Sequence, residues 1–188
     1  MTGLPDRIVV VGMSGAGKST LARAIAQCTS ATCIEVDALF WGPGWEPRME
    51  FRADITAAVA QERWVLDGNY SSVRSIVWPR AQMIVWLNLS FPLVLWRTLL
   101  RTVSRIRRRT VLWQGNRESL ARTLFTRESI LWWVIANFRR RRADVAAARA
   151  SGEYPHLHWV ELRSAREVDD FIVAHGLRPT VRRSSERY

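Results

Sequence analysis

Residues 7–20 read Arg-Ile-Val-Val-Val-Gly-Met-Ser-Gly-Ala-Gly-Lys-Ser-Thr, and they carry the strongest structural signal in the chain. A β-branched run over residues 7–11 is followed at once by residues 12–19, which match the pattern Gly-x-x-x-x-Gly-Lys-Ser/Thr at every fixed position. A helical pattern begins directly after them. A strand, a glycine loop and a helix in this order form a cradle for phosphate, because backbone N–H groups point inward and the helix N-terminus adds partial positive charge. The alternative is a chance glycine turn before a helix, but the stretch as a whole predicts a nucleotide-binding loop.

Two side chains of this phosphate loop (residues 12–19) have expected roles. Lys18 would bridge the β and γ phosphates of a nucleotide, and the Ser19 hydroxyl would bind Mg²⁺. Lys18 is also the only lysine in a chain with 28 basic residues, and an arginine cannot replace a compact ammonium group in such a cradle. The residues expected to contact the nucleotide are Gly12, Ser14, Gly15, Ala16, Gly17, Lys18, Ser19 and Thr20.

The composition is that of one globular domain. The chain has 188 residues, of which 48% are hydrophobic and 24% charged, so it can bury a core and is not a disordered polymer. Its longest purely apolar stretch, residues 130–136, is too short to cross a bilayer, and no secretory signal precedes the first strand. We therefore expect no transmembrane helix and a cytosolic protein.

The cysteines and histidines offer no metal site. Cys28 and Cys33 are too few for a disulfide framework and are expected to be small buried hydrophobic residues. The three histidines, His156, His158 and His175, have neither metal-ligand spacing nor a catalytic partner. They are expected to be structural or to lie on the surface.

Strand patterns alternate with helix patterns along the rest of the chain. Further strands are predicted at residues 33–36, 64–66, 83–89 and 159–162, and helices at 48–62, 91–109, 120–150 and 164–174. Such alternation predicts a three-layer α/β domain with a parallel sheet. Residues 109–150 contain no strand, so they are the candidate insertion. The predicted organisation is a single domain over residues 1–176 with an insertion at about 105–150, followed by a loose polar tail at 177–188.

The net charge of +11 is concentrated in one segment. Residues 91–150 carry fourteen basic and three acidic side chains, whereas the two charges balance in the segments before and after. Arg97, Arg101 and Arg105 repeat every four residues and form one stripe on a helix. The run of arginines at 139–142 points all around a helix, so its members cannot all reach one ligand. A basic patch of this kind also suits nucleic acid, although no recognised nucleic-acid module accompanies it.

Further motifs carry a family resemblance. They are Asp37-Ala38-Leu39-Phe40-Trp41, Gly44-Trp45, Trp64-Val65-Leu66-Asp67-Gly68-Asn69-Tyr70, Pro79-Arg80-Ala81, Trp96-Arg97 with Arg101, and Leu162-Arg163-Ser164. With the phosphate loop, they make the chain resemble the adenylate kinase and shikimate kinase group of small phosphoryl transferases, and within it the topology modulation protein (FlaR-like) family. The resemblance implies a five-stranded P-loop NTPase sheet, an acceptor pocket after the second strand, and a mobile lid rich in arginine after the fourth. It implies ATP and Mg²⁺ as well.

Two carboxylates are expected beside the phosphate loop. Asp37 closes the second predicted strand, where a carboxylate could accept the proton of an acceptor hydroxyl or hold a metal-bound water. Asp67 closes the third strand and resembles the strand-end aspartate that supports Mg²⁺ through water. The alternatives are a helix or turn cap for Asp37 and a turn-forming Asp-Gly pair for Asp67.

The acceptor pocket is expected to contain Trp41, Trp45, Asn69 and Tyr70 together with Asp37. The aromatic rings could stack on a base or a sugar, or could simply pack the loop against the sheet. No arginine follows Asp67-Gly68 until Arg74, which puts a nucleoside monophosphate acceptor in doubt and opens the possibility of an uncharged hydroxyl substrate.

The resemblance gives Arg101 a contact with the transferring phosphoryl group and places Arg97 near the adenine or ribose. Arg105, Arg107, Arg108 and Arg109 would line the lid, while Trp132 and Trp133 would be core or dimer contacts. The sequence thus favours ATP- and Mg²⁺-dependent phosphoryl transfer to a small molecule, with Lys18, Asp37 and Arg101 as catalytic residues. The alternative is a nucleotide-dependent DNA- or RNA-binding ATPase that uses residues 97–142 as its contact surface.

Overall fold

The computed structural model describes residues 3–107 and 130–177. Within them the strands are β1 (Arg7–Gly12), β2 (Thr32–Glu35), β3 (Trp64–Asp67), β4 (Met83–Leu87) and β5 (His158–Leu162). The helices are α1 (Lys18–Thr29), α2 (Val36–Phe40), α3 (Phe51–Ala58), α4 (Arg74–Val77), α5 (Phe91–Arg107), α6 (Ile130–Ala150) and α7 (Ala165–Ala174). Short 3₁₀ helices lie at Pro43–Trp45 and Ser71–Val73.

The five strands form one parallel sheet in the order β2-β3-β1-β4-β5. The chain runs from the central β1 outward to β2 and back to β3, then crosses to β4 on the other side of β1. This reversal leaves a crevice at the carboxyl ends of β1 and β4, where open α/β sheets bind their ligands. The phosphate loop leaves β1 at this crevice.

Hydrophobic clusters cover both faces of the sheet. One cluster joins alternate residues of β1 and β4 to α1, to Val94 of α5 and to Phe171 of α7. The other joins the intervening strand residues to Ile55 of α3, Val77 of α4 and Val145 of α6. β4 is buried along its whole length, as a strand covered on both faces must be. The expected three-layer α/β architecture with a five-stranded parallel sheet is confirmed.

The ends of several elements differ from the sequence expectation. β2 stops at Glu35 and the chain turns directly into α2, so Asp37 lies in the first turn of a short helix and not at the end of a strand. β4 ends at Leu87, and the Asn88 amide that follows lies within hydrogen-bond distance of the carbonyl oxygens of both Leu162 and Trp86. α3 begins only at Phe51, since the Arg48 amide donates to the Phe40 carbonyl and keeps the preceding residues in an irregular loop.

Cys28 was expected to be buried, and this is wrong. It lies on the outer side of α1 and is exposed, with its Sγ 3.7 Å from the Gly176 carbonyl oxygen. Cys33 is partly buried, and burial raises the pKa of its thiol to about 11.

Parts of the predicted insertion and tail lie outside the described residues, namely residues 108–129 with Arg108 and Arg109, and residues 178–188. Of the described helices, none is long and apolar enough to cross a membrane.

Candidate functional site

The phosphate loop has the backbone that its glycines predict. Gly17 adopts φ 100° as the N-cap of α1, a conformation that L side chains rarely adopt. Gly15 adopts φ 85° and lies against α5, so closely that a Cβ there would be 2.2 Å from Thr98 Oγ1. Thr98 Oγ1 also lies 3.1 Å from the Ser14 carbonyl oxygen. The loop is therefore held from outside by α5 as well as by β1 and α1.

Lys18 begins α1 and folds back over the loop. Its Nζ donates to the Met13 carbonyl oxygen at 3.3 Å, which keeps the ammonium group on the concave side of the loop. Burial raises the pKa of the Asp67 carboxyl group, and the positive charge of Lys18 opposes that rise. The lone lysine is thus close enough to the strand-end carboxylate to act on its charge.

Asp67 ends β3 and is only 9% exposed. Among the described residues, nothing donates a hydrogen bond to its Oδ1. Burial raises the pKa of this carboxyl group, the charge of Lys18 and a hydrogen bond from Ser19 oppose that rise, and the negative charges of Asp37 and Glu35 add to it. A buried carboxylate oxygen without a donor, beside a serine hydroxyl, has the chemistry of a Mg²⁺ site. The donor set fits the metal that the sequence led us to expect.

Asp37 lies in α2, close enough to Asp67 for its charge to affect the pKa of that carboxyl group. The Tyr70 hydroxyl donates to Asp37 Oδ1 at 2.7 Å. Burial and the charge of Asp37 raise the pKa of the Tyr70 phenol above its usual range, while the positive charge of Arg141 opposes this rise. The helix α2 and the loop after β3 are therefore in contact, and Arg141 of α6 places a positive charge near Tyr70.

The expected arginines of α5 lie against the phosphate loop. Arg101 donates to the Ser14 hydroxyl at 2.8 Å, and Arg97 donates to the Ala16 carbonyl oxygen at 3.5 Å. The two guanidinium groups are four residues apart and so lie on one side of α5. Both therefore lie next to the loop in which a triphosphate would bind.

The aromatic residues at this edge pack mainly on one another. The ring of Phe40 meets those of Trp41 and Tyr70, each with 4.7 Å between centroids, and Trp41 meets Trp45 edge-on. Trp45 is a non-glycine residue with φ 66°, a conformation that is uncommon and costs energy. These contacts favour the packing interpretation of Trp41 and Trp45 over stacking on a ligand.

Arg74 and Asn69 complete the loop after β3. The Arg74 guanidinium donates to Asp144 of α6 at 2.7 Å and to Asn69 Oδ1 at 3.4 Å, and it lies 4.5 Å from the ring centroid of Trp78. Its charge is thus matched by Asp144, so it is not available as an open anion site.

A basic cleft lies on the other side of α6. Its volume is about 680 Å³, and its lining includes Trp86, Asn88, Arg139, Arg142, Arg149, Glu161 and Arg163. Glu161 accepts hydrogen bonds from Asn88, Arg149 and Arg163. Arg163, Asn88 and Arg149 lower the pKa of its carboxyl group to about 2. The cleft contains more guanidinium groups than carboxylates, so it is positively charged.

Some contributors to the site were missed from the sequence. Thr98 supports the phosphate loop, but a threonine within an amphipathic helix gives no signal of that contact. The proximity of Arg141 to Tyr70 could not be singled out within a run of four arginines. Asp144 could have been noticed, because it is the only acidic residue between positions 129 and 150 and follows the run of arginines at 139–142.

Comparisons with known proteins bear on the fold. No protein-family model matches the chain, and no curated protein sequence does. Among solved structures, a gluconokinase from Sinorhizobium meliloti 1021 is 21% identical and superposes with a TM-score of 0.52 over 92% of each chain. A shikimate kinase from Acinetobacter baumannii, in complex with shikimate, is 20% identical with a TM-score of 0.49 over 90% of each chain. The chain has the P-loop NTPase fold that the phosphate loop and the alternating pattern predicted.

Proposed function

We propose that the protein is an ATP- and Mg²⁺-dependent phosphotransferase that transfers the γ-phosphoryl group of ATP to a hydroxyl group of a small molecule. One observation carries the proposal. Asp67 is a buried carboxylate with an oxygen that no described residue binds, and Lys18 and Ser19 of the phosphate loop act directly on it. Phosphate-binding and metal-binding chemistry therefore converge at one edge of the sheet.

Each residue has a role in this proposal. The loop amides and Lys18 hold the β and γ phosphates, and Arg101 stabilises negative charge on the transferring group. Arg97 lies by the loop near the adenine or ribose. Asp37 accepts the proton of the attacking hydroxyl. The aromatic residues Trp41, Trp45 and Tyr70, with Asn69, form the wall of the acceptor pocket.

Ser19 and Asp67 would hold Mg²⁺, Ser19 through its hydroxyl and Asp67 through a water. When bound, the metal neutralises charge on the β and γ phosphate oxygens. The buried position of Asp67 supports this assignment, because an uncompensated carboxylate there is costly without a cation.

The acceptor is proposed as a nucleotide, a nucleoside or another hydroxylated metabolite, and the last class is favoured. Arg74 pairs with Asp144, which speaks against an open site for an acceptor phosphate. The name of the gluconokinase supports a small hydroxylated acceptor as well. We further propose that the chain belongs to the topology modulation protein branch, on the motifs that include Asp37 and Tyr70, and that it acts in the cytosol, as a dimer or a monomer. We propose as well that residues 1–176 form a single domain with a lid at about 105–150.

A test follows from the role of Lys18. Purified protein is incubated with ATP and Mg²⁺ in the presence of D-gluconate, shikimate, D-glucose, adenosine or AMP, and ADP formation is measured. We expect one or more acceptors to increase ADP formation and Lys18→Ala to reduce that increase at least about 100-fold, because the β and γ phosphates lose their cation. Arg166→Ala, which removes a cation whose side chain is 91% exposed, is the matched control and should leave the rate unchanged. Equal rates in wild type and Lys18→Ala would contradict the proposal.

The basic cleft favours one second candidate function, a nucleotide-dependent ATPase that binds DNA or RNA with the segment 97–142. Arg139 and Arg142 line the cleft, and a polyanion backbone would satisfy such groups. This candidate predicts ATP hydrolysis that rises with added single- or double-stranded DNA or RNA and binding that weakens steeply with salt. ATP hydrolysis that responds to small acceptors and ignores nucleic acid supports the kinase.

A further inference from the structure

The Asp37 carboxylate has two oxygens in different situations. Oδ1 accepts the hydrogen bond of the Tyr70 hydroxyl at 2.7 Å. Oδ2 has no donor among the described residues, and the side chain is partly open to solvent. One oxygen is therefore held by the protein, whereas the other remains open to a ligand.

The surroundings of Tyr70 keep its hydroxyl group protonated, so that it acts as a hydrogen-bond donor. Its ring packs against Phe40 and Phe51, with centroid distances of 4.7 and 5.6 Å. Burial and the negative charge of Asp37 both keep the phenol protonated. A protonated phenol donates its single hydrogen, so Asp37 Oδ1 acts as the acceptor in this pair. The hydrogen bond thereby fixes the plane of the carboxylate and the position of Oδ2.

Asp37 is one of three carboxyl groups at this edge of the sheet, since its charge and that of Glu35 act on Asp67. Two cations act here as well, Lys18 on Asp67 and Arg141 on Tyr70. A phosphate monoester dianion has only acceptor oxygens, and Asp37 would repel it. An alcohol can donate its hydrogen to Oδ2 and place its oxygen lone pair toward the transferring phosphoryl group.

We infer that Tyr70 is the positioning residue of this site, and that it fixes Asp37 so that the group accepted at Oδ2 is an alcohol hydroxyl and not the phosphate of a nucleoside monophosphate. The inference rests on the proposed phosphotransferase function and narrows its substrate class. In the step, the alcohol oxygen forms a bond to the γ-phosphorus while the bond from that phosphorus to the β,γ-bridging oxygen breaks. ADP leaves with the electrons of that bond, and the hydroxyl proton passes to Asp37 Oδ2.

The test is a double-mutant cycle on acceptor-dependent ADP formation. Wild type, Tyr70→Phe, Asp37→Asn and the double variant are compared with D-gluconate, shikimate, D-glucose and AMP as probes, and ATP affinity is measured separately. We expect Tyr70→Phe to lower kcat about 10- to 100-fold with an unchanged ATP affinity, because the reacting oxygen loses its alignment. In the Asp37→Asn background, Tyr70→Phe should lower kcat no further, since Tyr70 acts through Asp37.

Tyr154→Phe is the matched control, because it removes a phenol that pairs with no carboxylate of the acceptor site, and its kcat should equal that of wild type. A structural role for Tyr70 would instead lower thermal stability and change kcat equally in both backgrounds, which overturns the inference. If wild type shows acceptor-dependent turnover and Tyr70→Phe has the same kcat, the inference is overturned and the proposed function stands. AMP as the best acceptor overturns the assignment of an alcohol, and no acceptor-dependent turnover by wild type overturns the proposed function with it.

Discussion

At Gly15 the backbone of the phosphate loop packs directly against α5. A Cβ at this position would lie 2.2 Å from Thr98 Oγ1 and 2.8 Å from the Val94 carbonyl oxygen, and the second of these atoms belongs to the backbone of a helix. The backbone at Gly15 also has φ 85°. Space and conformation therefore both require glycine there, independently of any contact with phosphate.

We expect Gly15→Ala to destabilise the nucleotide-free protein by about 1 to 3 kcal/mol more than Gly17→Ala. Gly17 is the matched control, because it has a similar φ of 100° but nothing within 4 Å of a Cβ. Both variants place a side chain at a positive φ, which is a strained conformation. Only Gly15→Ala also brings a Cβ into overlap with α5. Urea denaturation of the two variants measures the difference, and equal losses would contradict the close packing of α5 on the loop.

The sequence predicted the phosphate loop but not the residues that support it. The phosphate loop is a local motif, so its eight residues carry the geometry of the cradle themselves. The pairing of Tyr70 with Asp37 joins residues 33 positions apart, and the sequence pattern of neither loop contains it. The sequence places Asp37 at the end of a strand, whereas it lies in α2, a helix of five residues that is too short for helical periodicity to mark.

At the scale of elements, one ion pair joins the loop after β3 to α6. Arg74 lies at the start of α4 and is 16% exposed, and it bonds Asp144 in the middle of α6 at 2.7 Å. Both elements lie near the acceptor pocket proposed above. The pair holds α6 in place beside Tyr70, because the guanidinium group lies on the ring of Trp78 and so has little freedom to move.

We expect Asp144→Asn to destabilise the protein by about 1 to 3 kcal/mol, because it leaves a largely buried guanidinium group without its charged partner. Asp170→Asn is the control, since it breaks an exposed pair with Arg166 whose nitrogen and oxygen are 3.9 Å apart. Such a surface pair contributes at most about 0.5 kcal/mol. Urea denaturation at neutral pH tests both, and similar small losses in the two variants would remove the proposed role of the Arg74 pair.

Long elements were easier to predict than short ones. β1 and the capped helix α7 came close to their expected limits, and β4 and α5 began where expected, because periodic apolar residues mark these elements and Ser164 accepts a hydrogen bond from the Glu167 amide. The four-residue α4 is too short to show a repeating apolar pattern, and packing of Val77 into the core specifies it instead. Tertiary contacts thus decide short elements such as α4.

At the scale of the whole molecule, Glu161 connects four segments. It belongs to β5 and accepts hydrogen bonds from Asn88 after β4, from Arg149 of α6 and from Arg163. Its side chain is 12% exposed. Since its carboxylate is the shared partner of two guanidinium groups, its charge helps to hold α6 against the edge of the sheet.

Acid should therefore weaken the fold through Glu161. Its pKa of about 2 lies below the unfolded value, so the stabilisation is present above pH 4.5 and is lost as the pH falls from 4.5 toward 2. Asp67, whose pKa is raised by burial, acts with the opposite sign. We expect Glu161→Gln to lose about 1 to 3 kcal/mol at pH 7 and to show a shallower acid dependence than wild type in urea denaturation between pH 7 and 3. Glu62→Gln, an exposed side chain without an ion pair among the described residues, is the control, and parallel acid profiles for all three proteins would contradict the assignment.

The strand order also determines how much of the chain must be synthesised before the sheet is complete. Every neighbour in the sheet is parallel and therefore distant in the chain, and β5 covers the free edge of β4 only after residue 162 has been synthesised. Until then a nascent chain presents the fully apolar β4 with one side unpaired, which is a template for association with other chains. The edge of β4 that pairs with β5 is thus unprotected while residues 88–162 are being synthesised.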